Sequence, residues 1–240
     1  LLNCRGSVRE ALAYGTGLAL WQRRLAGEAD ATIVPSRFAR ERLRELGAPL
    51  RWDRVHVLPP PLRALEEPPV SPTRDGGYAL LATRLAAEKG VAVAVDACRM
   101  AGIELVIAGD GPDATALRAR AEGAPVRFLG SVGEEELAAL RRGAAIALAP
   151  SLTAETFGLA AAEAMAAGLP VAASRMGAHS ELLEDDALVA PGDARSLAGA
   201  IRRLAGDAAA GQRARARVAE ICAPERVAEQ LAAIYDGRTG

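Results

Sequence analysis

The chain is poor in aromatic side chains, cysteine and histidine, and it carries no excess of charge of either sign. Aromatics make up 3% of its 240 residues, too few for the stacking platforms that hold single-stranded nucleic acid. A formal net charge of −1, with no basic run of five or six residues, leaves no electrostatic footprint for a polyanion. Nucleic acid is therefore not an expected partner. Cys4, Cys98 and Cys222 are odd in number and scattered, no Cys-x-x-Cys pair exists, and His56 and His179 lie far from all three in sequence. That excludes a disulfide framework and gives no zinc-ligand spacing, so the expectation is reduced thiols in a cytoplasmic protein with no metal. No apolar run approaches the ~18 residues of a membrane-spanning helix, and no signal peptide is visible. The opening, Leu1-Leu2-Asn3, reads as the middle of a domain, and a missing N-terminal portion is expected.

What is present is an alternation. Residues 8–28 read as helix and 30–34 as a short buried strand; 37–46 read as a helix capped by Ser36 and stopped at Gly47, and 55–58 as another strand. A connector follows at 59–77, with Pro59, Pro60, Pro61, Pro68, Pro69 and Pro72, a linker composition. From Tyr78 onward, strands at 78–82, 104–108, 126–129, 145–149, 171–173 and 188–189 alternate with helices. The helices fall at 91–101, 113–121, 134–142, 158–167, near 180–183 and at 194–205. This spacing predicts an α/β fold with a doubly wound, Rossmann-like parallel sheet. In such sheets ligands sit beyond the carboxyl ends of the strands. The domains expected are 1–62, the tail of a first α/β domain; 63–77, a linker; 78–222, a ligand-binding domain; and 223–240, a terminal helix whose Val227, Leu231 and Ile234 share one face.

The richest segment is PSLTAETFGLAAAEAMAAGLP, residues 150–170. Glu155 and Glu163 stand eight positions apart, the second in a run of alanine, methionine and leucine. A carboxylate in such surroundings needs a partner, because burying it unpaired is costly. If the intervening residues were fully helical they would rise about 12 Å, near the span from a ribose across a diphosphate to an attached sugar. A helix starting near Phe157 or Gly158 presents free amides and a positive dipole to an anion. The plainer reading makes Glu155 a dipole partner and Glu163 an exposed helix residue. Arg84 and Lys89, in the loop after the first strand of the second alternation, can clamp a diphosphate or be solvated surface. Gly109-Asp110-Gly111-Pro112 is a tight turn that permits close backbone approach, or simply a βα turn. In residues 174–183, Ser180 is expected to cap the short helix that carries Glu181.

Taken together, ATRLAAEKG, IAGDGP, VRFLGSVGEEELAAL, the 150–182 block and LVAPGDARSLAGAI resemble, in order and spacing, the nucleotide-binding half of a GT-B glycosyltransferase. The type is glycosyl transferases group 1, family 4. The resemblance implies a retaining, metal-independent transfer of a sugar from a UDP- or GDP-linked donor to an acceptor hydroxyl. The setting implied is cell-surface polysaccharide, lipopolysaccharide or glycolipid synthesis. Arg84 and Lys89 would hold the donor diphosphate and Glu163 the ribose. Glu155 would sit beside the donor sugar. Amides at Thr156, Phe157, Gly158 and Leu159 would contact sugar and phosphates, and Gly109, Gly111 and Val132 would line the base pocket. Beyond the nucleotide-sugar no cofactor is implied, and no metal. The glycan or lipid-linked acceptor would bind through the missing N-terminal domain, with peripheral contact at the inner face of the membrane. Leu58-Pro59-Pro60-Pro61-Leu62 stands where the family has a proline-asparagine-glycine turn, and Gly177-Ala178 where it has a glycine pair. Neither histidine matches the family's histidine near the donor sugar. A non-catalytic nucleotide-sugar-binding module and a GT-B sugar-nucleotide epimerase are the alternatives.

Overall fold

The computed structural model describes residues 15–17, 24, 26–62 and 77–237. Most of the helix expected at 8–28 and the connector at 63–76 lie outside the described residues. The first unit pairs β1 (Thr32–Val34) in parallel with β2 (Val55–Val57), joined through helix α1 (Arg37–Glu45). Ser36 caps α1 as expected, its hydroxyl accepting from the Ala39 amide. Val34, Ala39 and Val55 form a small core of their own.

The second unit is a six-stranded parallel sheet of β3 (Tyr78–Ala82), β4 (Leu105–Ala108), β5 (Val126–Gly130), β6 (Ala144–Ala149), β7 (Val171–Ser174) and β8 (Leu188–Val189). Its order is β5-β4-β3-β6-β7-β8, so the winding reverses between β3 and β6. Helices cover both faces, which is why the strands inside the edge strand β5 are continuous apolar runs and not alternating ones. On one face α2 (Val91–Ala101), α3 (Ala114–Arg120) and α7 (Ala194–Leu204) bury Val95, Leu117, Leu197 and Ile201 with Leu81, Ile107 and Ile146. On the other, α4 (Glu134–Gly143), α5 (Leu159–Ala166) and α8 (Ala208–Cys222) cover Leu80, Val106 and Val171. Short α6 (His179–Leu182) follows β7, and α9 (Pro224–Tyr235) closes the chain. Cys98 and Cys222 are buried and unpaired, and burial pushes their thiols up to about 12 and about 11.

Helix α8 has no counterpart in the sequence reading. Its buried positions are Ala210, Gly211, Val218 and Cys222, so it docks through small residues and shows little hydrophobic periodicity. A Cβ on Gly211 would overlap the Gly168 carbonyl, which makes close approach the reason for that glycine. The final helix runs back toward the first unit: Ile234 lines a cavity with Trp52 and Val57.

The loop after β3 is pressed on the loop after β6. Gly90 has φ +67°, and a Cβ there would overlap the Pro150 carbonyl. Gly102 has φ +73° with open space around it. Gly102→Ala should cost about 1–2 kcal/mol of left-handed strain, whereas Gly90→Ala should cost at least about 3 kcal/mol, strain and overlap together. Urea unfolding of the two variants checks the difference.

Candidate functional site

The site is built where the sheet reverses, from the loops that follow β3 and β6. The Leu152 amide donates to the Glu88 carbonyl at 2.8 Å, tying one loop to the other. Glu155 forms a bridge with Gly177, and its carbonyl accepts from the Ala178 amide at 2.9 Å. A Cβ on Gly177 would run into the Glu155 backbone, so the turn after β7 holds Glu155 from behind. Ala178, standing where a second glycine was expected, takes ordinary helical angles of φ −71° and ψ −7° and carries no strain.

The Glu155 side chain is held as firmly. Lys89 Nζ donates to its Oε1 at 2.8 Å, and Ser151 Oγ donates to the same oxygen at 2.6 Å. Burial pushes the Glu155 carboxyl up. The hydrogen bonds from Lys89 and Ser151 and the Lys89 charge outweigh it, so the carboxyl titrates below the usual range. The sequence reading put Lys89 on the diphosphate and Glu155 on the sugar, and did not anticipate their contact.

Helix α5 begins one residue later than expected. Gly158 is its N-cap, at φ +89° and with no side-chain cap. The amides of Leu159, Ala160 and Ala161 therefore have no carbonyl within the helix. Residues 155–158 are not helical, so the 12 Å rise of a continuous helix does not apply. The two glutamates instead flank the start of α5. On one side a cavity of ≈ 410 Å³ is lined by Lys89, Ser151, Glu155, Thr156, Phe157 and Gly158. On the other a cavity of ≈ 470 Å³ is lined by Arg84, Gly109, Ser131, Val132 and Glu163. Leu159 and Ala160 border both.

Most of the residues singled out from sequence thus meet, in two neighbouring groups. Arg84 and Lys89 fall in different cavities, and Arg84 pairs with Glu88. Gly111 borders neither; a Cβ there would overlap the Leu85 backbone, so this glycine serves loop packing. Glu163 is not a free surface residue. It pairs with Arg141, whose side chain is 11% exposed.

Other contributors were missed. His179 is 1% exposed and lines the same cavity as Glu155 and Lys89. Its Nδ1 lies 3.0 Å from the Ser174 carbonyl, which can only accept, so Nδ1 bears the proton. Burial lowers its pKa. His56, in β2, borders neither cavity. The cap expected from Ser180 is absent: Ala178 is the N-cap of α6, with no side-chain bond. Glu181 reaches instead across to the first unit, where its carboxylate accepts from the Arg37 and Phe38 amides at 3.1 and 2.6 Å. Beside it, Ser36 Oγ donates to the Thr156 carbonyl at 2.5 Å. The start of α1 is thereby latched to the loop that carries Glu155. These bonds join residues 120 or more positions apart, and no local pattern announces them.

Among the described residues no group of three or more His, Cys, Asp or Glu is placed to hold a metal ion, and no helix is long and apolar enough to cross a membrane.

Residues 77–207 match the family model described as "Glycosyl transferases group 1". The chain is 32% identical over 194 residues to the GDP-mannose-dependent alpha-(1-6)-phosphatidylinositol dimannoside mannosyltransferase of Mycobacterium tuberculosis, covering 75% of this chain and 50% of that protein. It is 39% identical over 126 residues to the phosphatidyl-myo-inositol mannosyltransferase of Mycobacterium leprae, covering 48% and 33%. The chain thus spans half or less of the length of these curated relatives. Among solved structures it is similar to sucrose-phosphate synthase from Thermosynechococcus elongatus, with TM-score 0.77, 28% identity and coverage of 93% and 61%. It shares its fold with Anabaena Alr3699/HepE in complex with UDP and glucose, at TM-score 0.77 and 21% identity, with coverage of 92% and 67%.

Glu181→Ala should lower stability by about 1–2 kcal/mol, because two amides at the start of α1 lose their acceptor; chemical denaturation measures it. The Glu155 pair predicts a pH effect of definite sign. A carboxyl depressed in the folded state contributes stability above its unfolded value, 4.5, and loses it as pH falls through the lower folded value. Replacing Glu155 by Gln should therefore flatten the acid limb of stability against pH below about 4.5. An unchanged limb would contradict the contact.

Proposed function

The chain belongs to the glycosyl transferases group 1 family, and on that premise we propose that it is the donor-binding part of a retaining, metal-independent glycosyltransferase. The donor is a UDP- or GDP-sugar. What supports this reading is one arrangement: two cavities meet at the uncapped start of α5, one holding Glu155 and Lys89, the other Arg84 and Glu163.

The diphosphate lies across the amides of residues 158–160, where helix geometry leaves donors unused and the dipole favours an anion. Lys89 and Arg84 approach it from opposite sides, each exchanging an internal carboxylate, Glu155 or Glu88, for phosphate oxygens. The nucleoside occupies the cavity of Gly109, Val132 and Glu163, and Glu163 accepts from ribose hydroxyls. The sugar occupies the cavity of Glu155. In the reaction the bond from the anomeric carbon to the diphosphate oxygen breaks. An acceptor oxygen then bonds that carbon on the same face, and its proton passes to the departing diphosphate oxygen. The two cations and the helix amides stabilise the charge gathering on the departing diphosphate, and the Glu155 carboxylate eases the positive charge left on the sugar.

Residues 1–62 belong to the acceptor-side domain, 63–77 to the linker, 78–222 to the donor domain and 223–240 to the crossover helix. The acceptor is a hydroxyl of a glycan or lipid-linked glycan. The relatives named as phosphatidylinositol mannosyltransferases favour glycolipid synthesis.

Calorimetric titration with UDP, GDP, UDP-glucose and GDP-mannose tests the reading. Because Glu163→Ala would strand the largely covered Arg141, Glu163→Gln is the cleaner variant, and it should weaken nucleotide binding about tenfold. Replacing Arg84 and Lys89 together should weaken nucleoside diphosphates more than the bare nucleosides. Equal losses would remove the diphosphate clamp.

A further inference from the structure

We propose that His179 reads the donor sugar, its Nε2 lone pair accepting a hydrogen bond from a hydroxyl of the sugar ring. The inference rests on the donor-site reading above and adds to it a side chain outside the two-glutamate pattern.

Three observations carry it. The ring is fixed: it is 1% exposed, and its Nδ1 proton is committed to the Ser174 carbonyl at 3.0 Å. It is aimed: a Cβ built on Gly158 would meet His179 Cδ2 at 2.7 Å and Nε2 at 2.8 Å, so the Nε2 edge faces the start of α5 in the cavity that holds Glu155. It is unused: no hydrogen bond within the protein is made by Nε2. Among the described residues no sealed side-chain nitrogen or oxygen lacks a partner, so this atom opens on the cavity.

The chemistry then selects the ligand. An imidazole with its proton on Nδ1 can only accept at Nε2. Phosphate oxygens also only accept, and gain nothing from it. They are served by the donors of the site, the α5 amides and the Lys89 ammonium. A sugar hydroxyl both donates and accepts, and it needs acceptors. Glu155 and His179 are the side chains lining this cavity whose free atoms accept without donating. Two oriented acceptors separated across the ring discriminate between hydroxyl configurations, which one carboxylate alone does not. The charges facing His179 are Glu155 and Lys89, and they oppose each other. Burial keeps the ring neutral and so preserves the lone pair.

With only two histidines in the chain, the imidazole nitrogens can be followed by NMR in the unmodified protein. Titrations with GDP, GDP-mannose, UDP and UDP-glucose should show the Nδ1-protonated tautomer for His179. The Nε2 resonance should move with a nucleotide-sugar and stay still with the matching diphosphate. His179→Asn keeps a donor for the Ser174 carbonyl but has no atom at Nε2. It should weaken the nucleotide-sugar about three- to tenfold and the diphosphate less than about twofold. Diphosphate binding with an Nε2 signal unmoved by sugar, or moved equally by both ligands, would overturn the role of His179 and leave the donor site standing. Failure of every nucleotide to bind would overturn the donor site and this inference with it.

Discussion

The bond between the Lys89 ammonium and the Glu155 carboxylate, 2.8 Å long, joins the loops on either side of the point where the sheet reverses its winding. Parallel sheets of this order leave a crevice there, because successive helices depart to opposite faces. A crevice alone fixes no side chain. Here the loop after β3 supplies a cation and the loop after β6 an anion, and their contact sets the spacing between the loops. The bond is only partly buried, with 28% and 21% of the two side chains exposed, so it stays open to exchange with a ligand. Partly exposed, it adds little to stability; what it fixes, with Ser151, is the direction of the carboxylate.

The rest of the site is kept in place by what it lacks. Gly90, Gly158 and Gly177 all adopt positive φ where a neighbouring group leaves no room for a Cβ. Gly158 meets the His179 ring, Gly177 the Glu155 backbone and Gly90 the Pro150 carbonyl. Helix α5 is mostly alanine, with Ala161, Ala162, Ala164 and Ala166 buried, and its thinness lets the helix start close to the strands. The start of α5 thus offers backbone amides, not side chains, to the space between the two cavities.

The parallel strands and most helices were legible because the strands are short, mostly apolar segments near glycine or proline, and the helices are longer segments with apolar residues at helical spacing or a cap such as Ser36. Glu155 and Glu163 were legible because carboxylates in an apolar run demand partners. The partners themselves were not. Lys89 meets Glu155 across 66 positions and Arg141 meets Glu163 across 22, and pairings of that kind follow from sheet order, not from spacing. His179 matched no family histidine, and its place beside Glu155 follows from β6 and β7 lying side by side. Glu181 was read as a passenger on a short helix, yet it caps α1 in the other unit. Helix α8 was hidden because it packs through Ala210 and Gly211 instead of large apolar residues.

The central claim is that a diphosphate lies on the amides at the start of α5, between the Glu155 and Glu163 cavities. Amide NMR of the 15N-labelled chain during titration with UDP and GDP tests it most directly. The account predicts the largest shifts at Gly158, Leu159 and Ala160, with smaller ones at Gly109 and Val132. Shifts centred elsewhere, or none at millimolar nucleotide, would contradict it.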